Sequence, residues 1–512
     1  MPHRVVLGRF MLKEYFQKAS AVILVTGCVI AAGCAVGPDF RPPEAPSVKE
    51  YTPEPLPAET ASAPGVAGNS QSFLYGAEVA GEWWTLFHSE QLNALIRQAL
   101  ADSPSLAAAQ ARLREAEENL RARGGTVYYP SVDGDFSVVR RKSTGASFGQ
   151  PTSNPSSFTL YNATVNVSYT LDIFGGNRRE LEALRAQVDY QRFLLEGAYL
   201  SLSANIATTA VKEASLRGQL RSAGEVVSLL EKYLEIVDQQ YLVGAVSRSE
   251  VLAQRTQLAQ GRATLPPLEK DLAQTRHQLA VFVGKLPGEG DLPEFELENI
   301  ELPVDIPVSL PSALVRQRPD IKASEELLHA ANAQVGVATA NLYPKITLNG
   351  SIGTNAVKIE DLFSTGTSIW SLGAGLLQPI FHGGELTAKR RAAIAAHDQA
   401  VAQYRETVLQ AFQNVADTLR ALDFDAKTLR AQADAEQAAQ ESLELAQEQF
   451  RLGAVNYLVL LNAERDFQLA QSNLILAQAA RFADTAALFQ ALGGGWWNRE
   501  ASVDTAAHKE KP

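Results

Sequence analysis

Two cysteines are the residues whose type and position most directly predict covalent chemistry in this chain. Cys28 lies within, and Cys34 just after, an uncharged stretch from Ala19 to Ala32 that follows a basic N-terminus. This pattern is typical of an export signal, and the stretch is shorter than the ~20 residues that a membrane-spanning helix needs. Because the chain has only 2 Cys, no disulfide framework is expected in the body of the protein.

A lipidated N-terminal cysteine would explain this signal. Cleavage before Cys28 is favoured by the preceding Val25-Thr26-Gly27, but it would leave a very short apolar run. We therefore predict that residues 1–33 are a lipoprotein signal peptide and that Cys34 carries the lipid, with Cys28 or an ordinary cleaved signal as the alternatives. Ala35 follows Cys34 and provides no acidic retention signal, so we expect the outer membrane as the destination.

No other group of residues predicts catalysis or metal binding. The 7 His are scattered, without the spacing of a metal site, and the sequence has no phosphate-binding loop or Gly-x-Ser-x-Gly elbow. The formal net charge is -11, which argues against nucleic acid as a partner because phosphate binding requires clustered Lys and Arg. We therefore predict no enzymatic activity, no metal and no cofactor, apart from the covalent N-terminal lipid.

The sequence contains two copies of one large unit, because three motifs recur about 210 residues apart. The motif pairs are Tyr128-Tyr129-Pro130 with Leu342-Tyr343-Pro344, Ile173-Phe174-Gly175-Gly176 with Ile380-Phe381-His382-Gly383-Gly384, and Gln240–Val246 with Gln449–Val455. This period is much longer than the ~20–50 residues of a solenoid repeat. It indicates a duplicated half-molecule.

Four segments alternate apolar and polar residues with the period of a strand. They are residues 132–138, 162–171, 346–352 and 370–376. Such alternation is typical of a transmembrane β-barrel, although a small soluble sheet has the same pattern. Four strands cannot close a barrel, which needs about eight, and an open sheet leaves unsatisfied edges in lipid. If the strands lie in a membrane, several chains must share one barrel.

Very long helices separate the strand pairs. Two predicted helices, Asn177–Leu242 and Glu385–Leu452, span ~65 residues each, or ~100 Å at 1.5 Å per residue. The further predicted helices are Ser89–Ala101, Ser105–Arg123, Ser249–Gly284, Asp320–Leu342 and Tyr457–Leu492. We predict two long antiparallel coiled-coil hairpins with a strand pair at one end. A generic coiled-coil tether is the alternative, but it would not explain strands at equivalent places in both copies.

These elements divide the chain into segments after the signal peptide. The predicted segments are an N-terminal tether (34–80), a first structural repeat with two strands (81–288), a connector in the equatorial region (289–317), a second structural repeat with two strands (318–495) and a C-terminal tail (496–512).

Four motifs occur in order on this duplicated frame. They are Cys34–Phe40, Glu82–Phe87, Arg318–Ile321 and Arg451–Arg465. Together they resemble the TolC-like outer-membrane factors, in particular the lipoprotein subgroup called the NodT family, over nearly the whole mature chain. The resemblance implies a mainly α fold with a small β part. It also implies a homotrimer, in which four strands per chain build a 12-stranded transmembrane β-barrel continuous with a tube of twelve helices.

The same resemblance implies a function. The chain would be the outer-membrane channel component of a tripartite efflux system, passively conducting substrates delivered by a periplasmic adaptor and an inner-membrane pump. A lipid-anchored periplasmic coiled-coil scaffold without a conducting lumen is the alternative. The residues themselves do not select three subunits over two or four, and they name neither the cargo nor the pump.

The resemblance also assigns roles to individual residues. The turns Val243-Gly244-Ala245 and Leu452-Gly453-Ala454 would be the tips that face the adaptor. The periplasmic constriction would be formed by Leu458 and Asn462, which lie one helical turn apart, with Arg465 placed to hydrogen-bond across neighbouring helices. Asn462 stands where relatives often carry Asp, so the expected ring is neutral.

Overall fold

Long helices and two small sheets build the part of the chain that this computed structural model describes, residues 35–143 and 156–499. Both candidate lipidation sites, Cys28 and Cys34, lie outside these residues, as does most of the predicted C-terminal tail. The helices are α1 (Glu90–Asp102), α2 (Pro104–Tyr128), α3 (Gly176–Leu242), α4 (Arg248–Phe282), α5 (Pro311–Gln317), α6 (Pro319–Ala340), α7 (Glu385–Arg451) and α8 (Tyr457–Ala491). The strands are β1 (Ser72–Tyr75), β2 (Ser131–Ser143), β3 (Ser156–Leu171), β4 (Asp305–Val308), β5 (Lys345–Ala356) and β6 (Ser368–Leu377).

The long helices begin and end close to the predicted residues. α3 and α7 have 67 residues each, and α4 and α8 have 35 each. α2 differs, because it continues past the predicted end at Arg123 through Gly124 and Gly125 to Tyr128. Neither glycine has the left-handed backbone that ends a helix. The helix stops shortly before Pro130, since proline disfavours helical backbone in the residue before it.

A four-stranded antiparallel sheet lies in the first of two units of the chain, which contains residues 113–190 and 324–403 together with 35–42. The strand order is β2-β3-β5-β6, so the strands of each half stay adjacent and β3 joins β5 across the duplication. Pairs that illustrate the register are Val132 with Val167, Leu171 with Ile346, and Ile346 with Leu376. The alternating apolar residues of all four strands therefore share one face.

The second unit contains residues 43–112, 191–323 and 404–499 and holds the main hydrophobic core. Four aromatic residues contact one another within it. Trp83 stacks on Phe489 with ring centroids 5.4 Å apart, and Phe87 lies against both Phe482 and Phe489. The Glu82–Phe87 motif thus contributes two of the largest fully buried side chains, Trp83 and Phe87.

A short parallel strand pair also belongs to this second unit. β1, in the predicted tether, pairs with β4, in the predicted connector, with Phe73 opposite Ile306. Both side chains are buried. The sequence analysis missed this pair, because each strand has only four residues and the two lie far apart in the chain.

Among the described residues, no helix is both long enough and apolar enough to cross a membrane.

Candidate functional site

The two hairpin turns share one hydrogen-bonded geometry. In the first turn the N–H of Gly244 donates to the carbonyl of Tyr241 at 3.0 Å, and the N–H of Ala245 donates to that of Gln240 at 2.8 Å. The second turn repeats both bonds at equivalent residues with the same distances. Gly244 and Gly453 have φ values of 75° and 73°. This is the Schellman ending of a helix, in which glycine adopts the left-handed backbone without steric cost.

The residues predicted to form the tips are exposed. Val243 is 80% exposed and Leu452 is 68% exposed, and Gly244, Gly453 and their alanine neighbours are exposed as well. Large apolar side chains at an exposed turn can bind a partner by hydrophobic contact. The geometry therefore suits docking, and the docking itself stays a prediction.

Helix caps make each turn short and well defined. Ser247 accepts a hydrogen bond from the N–H of Glu250, and the Glu250 carboxylate accepts one from the N–H of Ser247, which together form a capping box at the start of α4. At the start of α8, the Asn456 side chain accepts from the N–H of Val459 at 3.2 Å. Each return helix thus begins with its first free N–H groups already bonded.

The three predicted constriction residues lie on one exposed face of α8. Leu458 is 62% exposed, and Asn462 and Arg465 are exposed too. The Arg465 guanidinium donates to the carboxylate of Asp466 at 3.3 Å. Within one chain this face is open to solvent, so a contact with neighbouring helices stays a prediction.

Glu464, on the opposite face of α8, is a residue that the sequence analysis missed. Its side chain is buried, with 4% of the residue exposed. Neither carboxylate oxygen has a hydrogen-bonding partner at normal geometry in the described part of the chain. A signal for this burial exists in the sequence, because Glu464 follows the buried Tyr457 and Leu460 at the spacing of a helix's inward stripe.

Burial changes the acidity of Glu464 and of two nearby tyrosines. It raises the pKa of Glu464 to about 7, while the nearby Tyr233 hydroxyl lowers that pKa by less. Burial also raises the pKa of Tyr457, and it raises that of Tyr233 to about 12, with the Glu464 charge contributing to both shifts. The Glu464 carboxyl therefore loses its proton near neutral pH rather than near pH 4.5. An open groove of about 700 Å³, which Lys232 and Phe467 also line, adjoins this residue.

A second buried ionisable group, Arg481 of α8, binds the predicted tether. Arg481 is fully buried, and its guanidinium donates to the carbonyl of Ala67 at 2.6 Å and to the side chains of Thr60 and Gln71 at 3.1 Å each. Burial lowers the pKa of Arg481 to about 10. These bonds explain why much of the segment around Ala67 is packed rather than free.

The residues that follow Cys34 are held in place by Arg179 of α3. The guanidinium donates to the carboxylate of Asp39 at 2.6 Å and to the carbonyls of Val36 and Gly37 at 3.4 Å each. The N–H of Val36 donates to the carbonyl of Phe174 at 3.0 Å. Residues 36–39, next to the predicted lipid, are therefore bonded to α3 and to the segment after β3 within the first unit.

Within residues 35–143 and 156–499, no group of three or more His, Cys, Asp or Glu side chains is placed to hold a metal ion.

Comparison with known proteins identifies the family. The model of the outer membrane efflux protein family matches residues 95–285 and 310–494. The chain belongs to this family. It is 31% identical over 422 residues to the pyoverdine export outer membrane protein OpmQ of Pseudomonas aeruginosa, covering 81% of this chain and 87% of that protein. It is 27% identical over 489 residues to the probable outer membrane lipoprotein SilC of Salmonella typhimurium, covering 95% of this chain and 100% of that protein.

The fold agrees with solved channels of the family. The structure of the outer-membrane channel OprN superposes with a TM-score of 0.80 at 28% identity, covering 90% of this chain and 100% of that one. The chain is thus an outer-membrane channel component of a tripartite efflux system, and its family is one of transport channels. Its system includes an adaptor and an inner-membrane pump. The predicted family, function and outer-membrane localisation are confirmed.

Proposed function

We propose that three copies of this chain form a homotrimeric duct whose shared wall is one 12-stranded barrel. The observation that carries this proposal is the four-stranded sheet, whose outer strands β2 and β6 pair on one side only among the described residues. Unpaired strand edges are not tolerated in hydrocarbon, and four strands are too few to close on themselves. Pairing β6 of each copy with β2 of the next removes every free edge.

The chemistry of the sheet supports a lipid environment. Apolar residues on one face are strongly exposed, including Trp370 at 77% and Leu372 at 83%. Phe136 and Ile352 on the same face are exposed as well. An outward apolar band with polar residues facing the lumen is the pattern of transmembrane barrels.

We further propose roles for the helices and their ends. Each chain contributes two long hairpins, α3 with α4 and α7 with α8. α2 and α6 extend the shorter helices α4 and α8, so that three chains together supply a tube of twelve helices. The tips 243–245 and 452–454 dock the periplasmic adaptor through their exposed apolar side chains. Leu458, Asn462 and Arg465 line the periplasmic constriction, and lipid on Cys34 anchors the N-terminus in the outer membrane.

Conduction by this duct is passive. We infer that the chain catalyses no reaction and binds no cofactor beyond the covalent lipid, because the pump supplies the energy for transport. One relative is named as a pyoverdine export protein and another as a lipoprotein, and neither name assigns a cargo to this chain.

Two measurements on the purified protein test the proposal. Native mass spectrometry should give the mass of a trimer, and planar lipid bilayers should show single-channel conductance. A monomer, or a trimer that never conducts, would instead support the coiled-coil scaffold without a lumen.

A further inference from the structure

An aromatic stack joins the two halves of one chain. Phe174, which follows β3 in the first half, stacks on Tyr343, which precedes β5 in the second half. Their ring centroids are 4.7 Å apart and their planes differ by 18°. Phe174 belongs to the Ile-Phe-Gly-Gly motif and Tyr343 to the Tyr-Pro motif, and both motifs occur twice in the chain.

In the part of the chain that the structure describes, the duplicates of these two residues have no such contact. Tyr129 is the tyrosine of the other Tyr-Pro motif, in the first half, and is 70% exposed. Phe381 is the phenylalanine of the other Ile-Phe motif, in the second half, and is 87% exposed. Neither ring stacks on another aromatic ring in the described residues. The two rings border the unpaired edge strands, since Tyr129 precedes β2 and Phe381 follows β6.

We propose that Phe381 of one copy stacks on Tyr129 of the next copy and thereby sets the register of the β6–β2 seam between subunits. The occupant of both exposed aromatic surfaces is a second copy of this chain. The inference rests on the proposed trimer, and it specifies which residues meet at the seam.

The stack of Phe174 on Tyr343 follows the register of strands β3 and β5. Leu171 pairs with Ile346 in the β3–β5 ladder. Phe174 lies three residues beyond Leu171, and Tyr343 lies three residues before Ile346, so the two rings continue that pairing past the strand ends. In an antiparallel pair, residues equally far from a known pair remain opposite each other.

The same rule gives the register between subunits. If Phe381 is opposite Tyr129, then Leu376 is opposite Gly134, Ala374 is opposite Phe136, and Leu372 is opposite Val138. β6 and β2 do not pair with each other in the sheet of one chain. Their register is therefore determined only where two subunits meet.

The position of the apolar face checks this register independently. Leu372 and Val138 both belong to the exposed apolar face, at 83% and 51% exposure. The three ladders within the chain also pair apolar residues of that face with one another, as Val132 with Val167 illustrates. A slip of one residue would turn one strand's apolar side chains into the lumen. The register predicted from the aromatic stack is therefore one that keeps the apolar side chains of β6 and β2 on the same face.

A shift of two residues between β6 and β2 would leave the apolar side chains on the same face. The experiment therefore has to distinguish the proposed register from one shifted by two residues. The variant with Leu372→Cys and Val138→Cys places thiols on residues that are directly opposite at the seam. Opposed strand residues are about 4.5–5.5 Å apart at Cα, within the ~4.4–6.8 Å range of disulfides. Oxidation of the purified channel should yield covalent dimers and trimers on a non-reducing denaturing gel.

The matched control combines Leu372→Cys with Arg140→Cys, two residues further along β2. Its thiols are diagonal rather than opposite in the proposed register, so most of this variant should stay uncross-linked. Preferential cross-linking of the control overturns the register, and so does an intact trimer in which neither pair cross-links. A protein that is monomeric under all conditions contradicts the proposed trimer itself.

Alanine variants test the stack directly. Phe381→Ala and Tyr129→Ala should each lower the temperature at which the trimer dissociates, and the double variant should lower it no further than the stronger single one. Phe174→Ala is the matched control, because it removes the stack within the chain and should also lower the unfolding temperature of the separated subunit. Fully additive losses for Phe381→Ala and Tyr129→Ala would overturn the contact.

Discussion

A single buried carboxyl, Glu464, makes the stability of the hairpin region depend on pH. Its pKa is about 7 in the folded chain against an ordinary value of 4.5. Below pH 4.5 the folded and unfolded chains both hold the proton, so the group contributes nothing. Between these values only the folded chain holds it, and stability falls as the pH rises. Above pH 7 the full penalty, on the order of 3 kcal/mol, remains.

Glu464→Gln should remove this penalty because the amide carries no charge. We expect the variant to melt at a higher temperature than the wild type at pH 8 and at a nearly equal temperature at pH 4.5, as measured by circular dichroism. Glu225→Gln is the control, since Glu225 lines the same groove and is exposed, and it should melt like the wild type at both pH values. A Glu464→Gln variant less stable than the wild type at pH 8 would contradict the argument.

Lipidation is likewise predicted for a single residue, Cys34. Cys34→Ser should abolish palmitate labelling of the protein in cells, and Cys28→Ser should leave labelling intact. The reverse result would move the mature N-terminus to residue 28. Loss of the lipid should reduce membrane retention more than conductance, because a closed barrel holds itself in the bilayer while one acyl chain binds only weakly.

Among the elements, the two hairpin turns combine a left-handed glycine backbone with exposure. Gly244 and Gly453 have positive φ, and a Cβ on either would meet no atom within 4 Å among the described residues. Replacing both with Leu should therefore reduce export while trimers still form, since the new side chains obstruct the adaptor rather than the chain's own packing. Export is measured by drug or metal susceptibility of cells that depend on the channel.

Asparagine at both positions is the milder variant. Asn is smaller than Leu and tolerates the left-handed backbone better, so it lowers both the bulk and the backbone strain at the tip. We expect its export to be closer to that of the wild type. Unchanged export by the Leu variant would count against docking at these turns.

The elements also illustrate what a sequence can and cannot predict. The bounds of α3, α7 and α8 follow from long uninterrupted helical patterns, which determine local structure strongly. The pairing of β1 with β4 could not be predicted, because four residues carry little periodicity and the partner is distant in sequence. The burial of Glu464 was not predicted, because a carboxylate is expected on the solvent side of a helix. Its heptad spacing nevertheless places it on the buried face of α8.

At the scale of the whole molecule, duplication gives two equivalent halves, but the residues that follow the two hairpin turns are unequal. The turns match closely, and the caps Ser247 and Asn456 occupy equivalent places. The residues after them differ, because Leu458 and Asn462 correspond to the smaller Ser249 and Ala253. In a trimer only α8 would then present bulky side chains around the axis, so the constriction would have threefold rather than sixfold character.

The charge of that constriction gives the last prediction. In the proposed trimer three Asn462 side chains would form a neutral ring. A neutral ring attracts cations only weakly, whereas three clustered carboxylates attract counter-ions strongly. The wild-type channel should therefore be little blocked by millimolar divalent or trivalent cations added on the periplasmic side, as recorded in planar bilayers. Asn462→Asp should introduce such block. Strong block of the wild type would contradict a constriction closed by Leu458 packing and by hydrogen bonds from Asn462 and Arg465.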